Sequence, residues 1–216
     1  MAWIASWPRA LIVERADAGG GEMKFMWRPF VISGLLVVVD QITKILVKGF
    51  SLFGYDHQGM VLGESRPLIG ETVRLTFVEN PGMAFGVSWG EAKIVLTLLT
   101  VGIVALIVRM IMTSPRESSV IRSALTLVLA GAVGNLIDRM FYGVFYGTDP
   151  LFYGKVVDFL QVDIPDITVF GELYTHWPVF NVADSCVSVG VVVLLIASMR
   201  GNHDVSLFRV RDDQAE

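Results

Sequence analysis

The chain has 216 residues, of which 53% are hydrophobic and only 18% charged, and its mean hydropathy is +0.59. Soluble domains carry about 25% charged residues, so this composition excludes an ordinary soluble domain and points to a membrane protein of one domain. The net charge of -4 argues against nucleic acid as a partner, and the single cysteine, Cys186, excludes an internal disulfide. Cys186 lies among apolar neighbours and reads as a packing residue.

Residues 1–29 are expected to form a disordered cytoplasmic arm. Their apolar stretches are short and interrupted by charge, unlike a cleaved signal peptide, and Gly19-Gly20-Gly21 reads as a linker. The first membrane span is predicted at about 30–47, close to the roughly 20 residues that a bilayer requires. Asp40 and Lys44 fall in its second half, four apart and therefore on one helix face.

Residues 48–92 are punctuated by glycines and form an extracytoplasmic segment. Within it Thr72 to Val78 alternates and is β-branched, which predicts a strand of a small sheet. A turn-rich run, Glu79-Asn80-Pro81-Gly82-Met83, leads back to the bilayer. The second span is predicted at 94–112, and a tight polar loop joins it to the third at 120–137. Small residues late in the third span, Ala130, Gly131, Ala132 and Gly134, permit close helix contact. Residues 138–176 form a second extracytoplasmic segment, rich in the aromatics that favour a headgroup region. The fourth span is predicted at 179–199, followed by a cytoplasmic tail, 200–216. The fold class is thus a mainly α membrane protein with four transmembrane helices and a small extracytoplasmic β-sheet.

In an alternating topology the polar residues of the spans converge. Asp40 and Lys44 are late in the first, Asn80 precedes the second, Asn135, Asp138 and Arg139 end the third, and Asn181 and Asp184 begin the fourth. The arm, the short loop with its flanks, and the tail carry ten Lys and Arg residues, against six in the two longer segments and their edges. Positive-inside bias places both termini in the cytoplasm and the polar cluster toward the outer face.

An aspartate at mid-bilayer costs about 2.5–3.5 kcal/mol on insertion scales, so several converging acids suggest function. A structural reading competes with it for Asp40–Lys44 and Asp138–Arg139, as ion pairs that hold the bundle together. Asp158 and Asp184 differ, because apart from Lys155 neither has an obvious basic neighbour in sequence. Two carboxylates brought close would share a proton, one serving as base on a water and the other as acid. Spacing alone does not bring them together, since they are 26 positions apart. The histidines, His57, His176 and His203, lack metal-ligand spacing, and no phosphate-binding glycine loop occurs. A small transporter or proton relay using the same acids is the alternative from another class, although the polar groups gather at one side rather than through the full membrane depth.

Five blocks in order resemble the lipoprotein signal peptidase (signal peptidase II) family. They are Asp40-Gln41-Ile42-Thr43-Lys44, Asn80-Pro81-Gly82-Met83-Ala84-Phe85-Gly86, Gly134-Asn135-Leu136-Ile137-Asp138-Arg139, Val156-Val157-Asp158-Phe159 and Phe180-Asn181-Val182-Ala183-Asp184-Ser185. The resemblance implies an aspartic endopeptidase of the bacterial cytoplasmic membrane, multi-pass, with its site near the outer interface. It would act on prolipoproteins, cutting just before a diacylglyceryl-modified cysteine, and be open to the inhibitor globomycin. It implies Asp158 and Asp184 as the catalytic pair, with Asn80, Asn135, Arg139 and Asn181 positioning substrate or acids, and Asp40, Lys44 and Asp138 as the surrounding framework. No metal or cofactor is implied. The expected partners are prolipoproteins and membrane lipid, and the expected assembly is a monomer. The chain departs from the family pattern at Pro81, where threonine is usual, and is longer at 48–74 and between Asp158 and Asp184, where an enlarged loop over the site is expected.

Overall fold

The structure is a computed structural model that describes residues 10–82, 93–113, 118–169 and 172–200. Residues 83–86 of the second family-like block, most of the loop between the second and third spans, and the tail beyond Arg200 lie outside the described residues.

Among the described residues, four helices are long and apolar enough to cross a membrane, at Met26–Lys48, Lys93–Thr113, Ser119–Phe145 and Val182–Met199. The first belongs to α1 (Ala10–Lys48), which continues the span back through Gly19-Gly20-Gly21 and holds Pro29 inside it.

Between the first two spans the chain makes four strands, β1 (Phe50–Leu52), β2 (Tyr55–His57), β3 (Ser65–Ile69) and β4 (Val73–Asn80). The helix α2 (Lys93–Thr113) follows, then α3 (Ser119–Ile137), which starts under a Ser118 cap: its hydroxyl accepts from the Ile121 N–H at 3.3 Å. The third span was expected to end at 137, but it continues through a π-helical turn, Asp138–Tyr142, into α4 (Gly143–Phe145). The π turn lies within the polar block itself, a frequent location for such turns.

After α4 come β5 (Val156–Val169), β6 (Glu172–His176) and α5 (Val182–Met199). The region expected as an enlarged loop over the site is instead a β-hairpin. β5 and β6 pair antiparallel, with Ile167 opposite Tyr174, and extend a four-stranded sheet of order β3-β4-β5-β6. The backbone of Val156–Val169 pairs with β4 on one side and β6 on the other, which an irregular loop of this length would not do.

The helix α3 is the centre of the bundle. Its span is 56% buried, against 17–22% for the other three. It touches α5 most closely, because Gly131 and Gly190 remove the side chains between them. A Cβ on Gly131 would strike the Ala183 carbonyl, and one on Gly190 would meet Val128 Cγ2 at 2.7 Å. Small residues at such crossings substitute for the hydrophobic drive that lipid does not supply. One core, Ile107, Ile111, Ile121, Leu125, Leu129 and Ala197, fills one part of the bundle. A second, Val47, Phe77, Tyr142, Val157 and Phe159, joins the ends of α1 and α3 to the sheet. The polar residues lie where these parts meet.

Candidate active site

Three buried charges hold the ends of α1 and α3 together. Lys44 Nζ stands 2.8 Å from Asp40 Oδ2 and 2.8 Å from Asp138 Oδ2, and all three side chains are essentially inaccessible. A buried ion pair is tolerable only when its remaining lone pairs are also satisfied. Here they are. Asp40 Oδ1 accepts the Ala183 backbone N–H of α5 at 2.9 Å, and Asp138 Oδ2 accepts the Val157 N–H of β5 at 3.2 Å. Asp138 therefore pairs with Lys44, on another helix, rather than with its sequence neighbour Arg139 as the structural reading had it. Gly134 provides the room: a Cβ there would lie 2.7 Å from Asp40 Oδ2.

Gln41 joins this framework and was not singled out from sequence. Its Nε2 donates to Asp138 Oδ1 at 2.9 Å and to the Gly134 carbonyl at 3.1 Å, and its Oε1 accepts from the Tyr142 hydroxyl at 3.0 Å. A glutamine next to an intramembrane acid is the one available signal, because an amide left unpaired in lipid is costly.

Two amides carry the network outward. The third donor of Lys44 goes to Asn135 Oδ1 at 3.0 Å, which fixes the orientation of that amide. Asn135 Nδ2 then donates to Asp184 Oδ1 at 2.7 Å. Asn181 is fully buried at the N-cap of α5, where a capping box forms. Its Oδ1 accepts the Asp184 N–H at 2.8 Å, while Asp184 Oδ2 accepts the Asn181 N–H at 3.2 Å. The Asn181 Nδ2 donates to Asp158 Oδ1 at 2.7 Å, to Asn135 Oδ1 at 3.1 Å and to the Val157 carbonyl at 3.2 Å.

Asp158 lies on β5 opposite Val78 of β4, and Asn80 of β4 lies opposite Val156. The Asn80 side chain bonds Asp158, and its Oδ1 accepts the Gly82 N–H at 2.9 Å in a short turn. Phe180 also bonds β5, through Leu160, so the entry to α5 is pinned beside Asp158. Burial pushes the Asp158 carboxyl up to about 7, and the nearby Asp184 charge adds to this, while the amides of Asn80 and Asn181 and the Lys44 ammonium oppose it. Arg139, on the π turn, lies within electrostatic reach of Asp184, Asp138 and Asp158.

All nine residues singled out from sequence therefore fall in one cluster. Asp40, Lys44 and Asp138 form its inner, charged part, and Asn135 and Asn181 its middle. Asp158, Asp184, Asn80 and Arg139 form the part nearest the sheet.

Among the described residues, four membrane-length helices enclose this cluster of acids and amides at one end. Residues 32–200 match the signal peptidase (SPase) II family. The chain belongs to that family. The lipoprotein signal peptidase of Porphyromonas gingivalis is 34% identical over 193 residues, covering 77% of this chain and 80% of that protein. The lipoprotein signal peptidase of Chlorobium phaeobacteroides is 36% identical over 167 residues, covering 77% and 92%. That of Brevibacillus brevis is 35% identical over 174 residues, covering 79% and 93%. Among solved structures, a bacterial membrane enzyme determined by the in meso method at 2.3 Å resolution superposes with a TM-score of 0.59 and 26% identity, covering 87% of this chain and 94% of that one. A second, determined at 1.9 Å, gives 0.58 and 29%, covering 80% and 93%.

Proposed function

We propose that the protein removes signal peptides from prolipoproteins by cutting before a diacylglyceryl-modified cysteine, with Asp158 and Asp184 as its catalytic pair. The observation that carries this reading is the Asn181 bridge: one side-chain amide donates to Asp158 at 2.7 Å and accepts from the Asp184 backbone at 2.8 Å. Through it a strand carboxyl and a helix carboxyl share one rigid support, although they are 26 positions apart in sequence.

Asp184 accepts an N–H on each of its oxygens, from Asn135 and from the Asn181 backbone, which suits a carboxylate acting as base. Asp158, its carboxyl held up by burial, retains a proton and acts as acid. Asp184 takes a proton from water as the water oxygen attacks the scissile carbonyl carbon, and Asp158 donates to the carbonyl oxygen. Collapse of the tetrahedral species breaks the C–N bond as the proton held by Asp184 passes to the leaving amine and a hydroxyl of that species returns a proton to Asp158. Arg139, in reach of Asp158 and Asp184, would steady the charge of the pair. The lipid of the substrate would enter laterally between the apolar helix faces.

The sidedness of charge supports a site toward the outer face of the cytoplasmic membrane with both termini inside. The test is cleavage of a diacylglyceryl-modified prolipoprotein by purified protein, with Asp158→Asn and Asp184→Asn as folded controls. Both variants are expected to lose cleavage while keeping the thermal transition. Cleavage retained by either one overturns its catalytic assignment.

A further inference from the structure

Among the described residues, the bonds that build the acid and amide cluster do not include the β1–β2 hairpin, Phe50 to His57. Its root is nonetheless firmly fixed. A helix end leaves its last carbonyls without intrahelical partners, and here the chain that follows α1 supplies them. The Gly49 N–H donates to the Ile45 carbonyl at 2.8 Å, the Met60 N–H to the Val47 carbonyl at 2.7 Å, and His57 Nε2 bonds the Leu46 carbonyl at 2.9 Å. Gly49 and Gly59 pack backbone to backbone, since a Cβ on Gly49 would lie 2.7 Å from the His57 carbonyl. The hairpin cannot swing freely on such a root.

The place of the root decides where the tip goes. Leu46 is exposed, and so are Leu35, Val39 and Ile42, spaced by four, three and four residues along α1. That spacing is a single helical stripe, and on a membrane-spanning helix an exposed apolar stripe faces lipid. The hairpin is thus anchored at the top of the lipid-facing edge of α1. Its tip is apolar and uncovered: Phe53 is 92% exposed, Tyr55 77% and Leu52 44%. Phe53 also has φ 51°, a backbone region that favours glycine, so a side chain there is held outward at a conformational cost. An outward aromatic pair five and seven residues past the end of a span fits the headgroup boundary, where amphipathic rings gather.

We propose that the β1–β2 hairpin is an interfacial anchor, whose tip residues Leu52, Phe53 and Tyr55 insert into the lipid surface of the leaflet in which α1 ends. The partner is the bilayer itself, not a protein. The anchor sets the depth of the last turns of α1, and with it the depth of Lys44 and the charges it holds. It rests on the membrane location of the chain and not on which acids are catalytic.

The test uses the full chain in nanodiscs of phosphatidylethanolamine and phosphatidylglycerol. A nitroxide is placed at Phe53→Cys, and for comparison at Glu71→Cys in the β3–β4 turn, whose side chain is 84% exposed. The wild-type chain reports any labelling of the buried Cys186. The label at 53 is expected to show an oxygen-to-nickel-chelate accessibility ratio several-fold above that at 71. Equal ratios would mean a tip in water, and shielding from both reagents would mean a tip covered by protein; either result overturns the proposal. As a check free of the label, Phe53→Trp is expected to add fluorescence quenched by lipids brominated near the glycerol backbone. Added fluorescence without that quenching also overturns it.

Discussion

The Asn181 amide nitrogen lies 2.7 Å from Asp158 Oδ1, joining the N-cap of α5 to the start of β5. The same side chain caps its helix and touches both acids, so its role in stability and its role in the site can be separated. Replacing an N-cap asparagine by alanine costs about 0.5–2 kcal/mol. Asn181→Ala should therefore lower the thermal transition by a few degrees while reducing kcat far more than that loss explains. Asn181→Ser keeps a cap oxygen but lacks the amide nitrogen that donates to Asp158, Asn135 and the Val157 carbonyl. It should restore much of the stability and little of the activity, as measured by unfolding and cleavage on the same preparations.

The raised Asp158 carboxyl makes a prediction about pH. An acid whose folded value lies above its unfolded value binds more protons in the folded state, so stability is full below the unfolded value and falls as pH rises. For Asp158 the window runs from 3.8 to about 7. The wild type should lose stability across it, and Asp158→Asn should flatten that part of the curve. Denaturation followed at several pH values checks the sign. In the proposed mechanism kcat/KM should also decline as pH rises through about 7, as the acid loses its proton.

Lys44 is the cation that Asp40 and Asp138 share, 2.8 Å from each. Lys44→Met would leave two buried carboxylates without it, and breaking a buried pair from one side costs about 3–5 kcal/mol. We expect a large drop in thermal stability or failure to accumulate. The double change Lys44→Met with Asp138→Asn should recover part of that loss, because one uncompensated charge is removed. Full additivity of the two losses would contradict the pairing.

Contact between α3 and α5 sets the distance between Asn135 and Asp184. Gly131→Leu would push the Ala183 backbone away, and overpacking of this kind typically costs about 1–3 kcal/mol. Cleavage should fall more steeply than stability, because the Asn135–Asp184 bond of 2.7 Å stretches first. Gly102→Leu, where a Cβ meets nothing within 4 Å, is the matched control on α2 and should leave both unchanged.

The four spans and the sidedness of the polar residues were legible in the chain, because lipid demands long apolar runs and makes each intramembrane charge conspicuous. The acids and asparagines were legible for the same reason, and the order of five short blocks pointed to the family. Other features were not. Gln41 and Tyr142 are common residue types, and only the fold shows one amide meeting Asp138 and one hydroxyl meeting Gln41. The pairing of Asp138 with Lys44 was not legible either, since neighbours in sequence say nothing about which helix lies across the interface. The β5–β6 hairpin was read as a loop, because strand pairing is a non-local choice made by the partner strand. The resemblance named Asp158 and Asp184 as a pair, but the contacts that hold them near each other came from the tertiary structure. A strand and a helix start 26 positions apart have no shared periodicity; Asn181, buried between them, and the Phe180–Leu160 pairing hold their positions together.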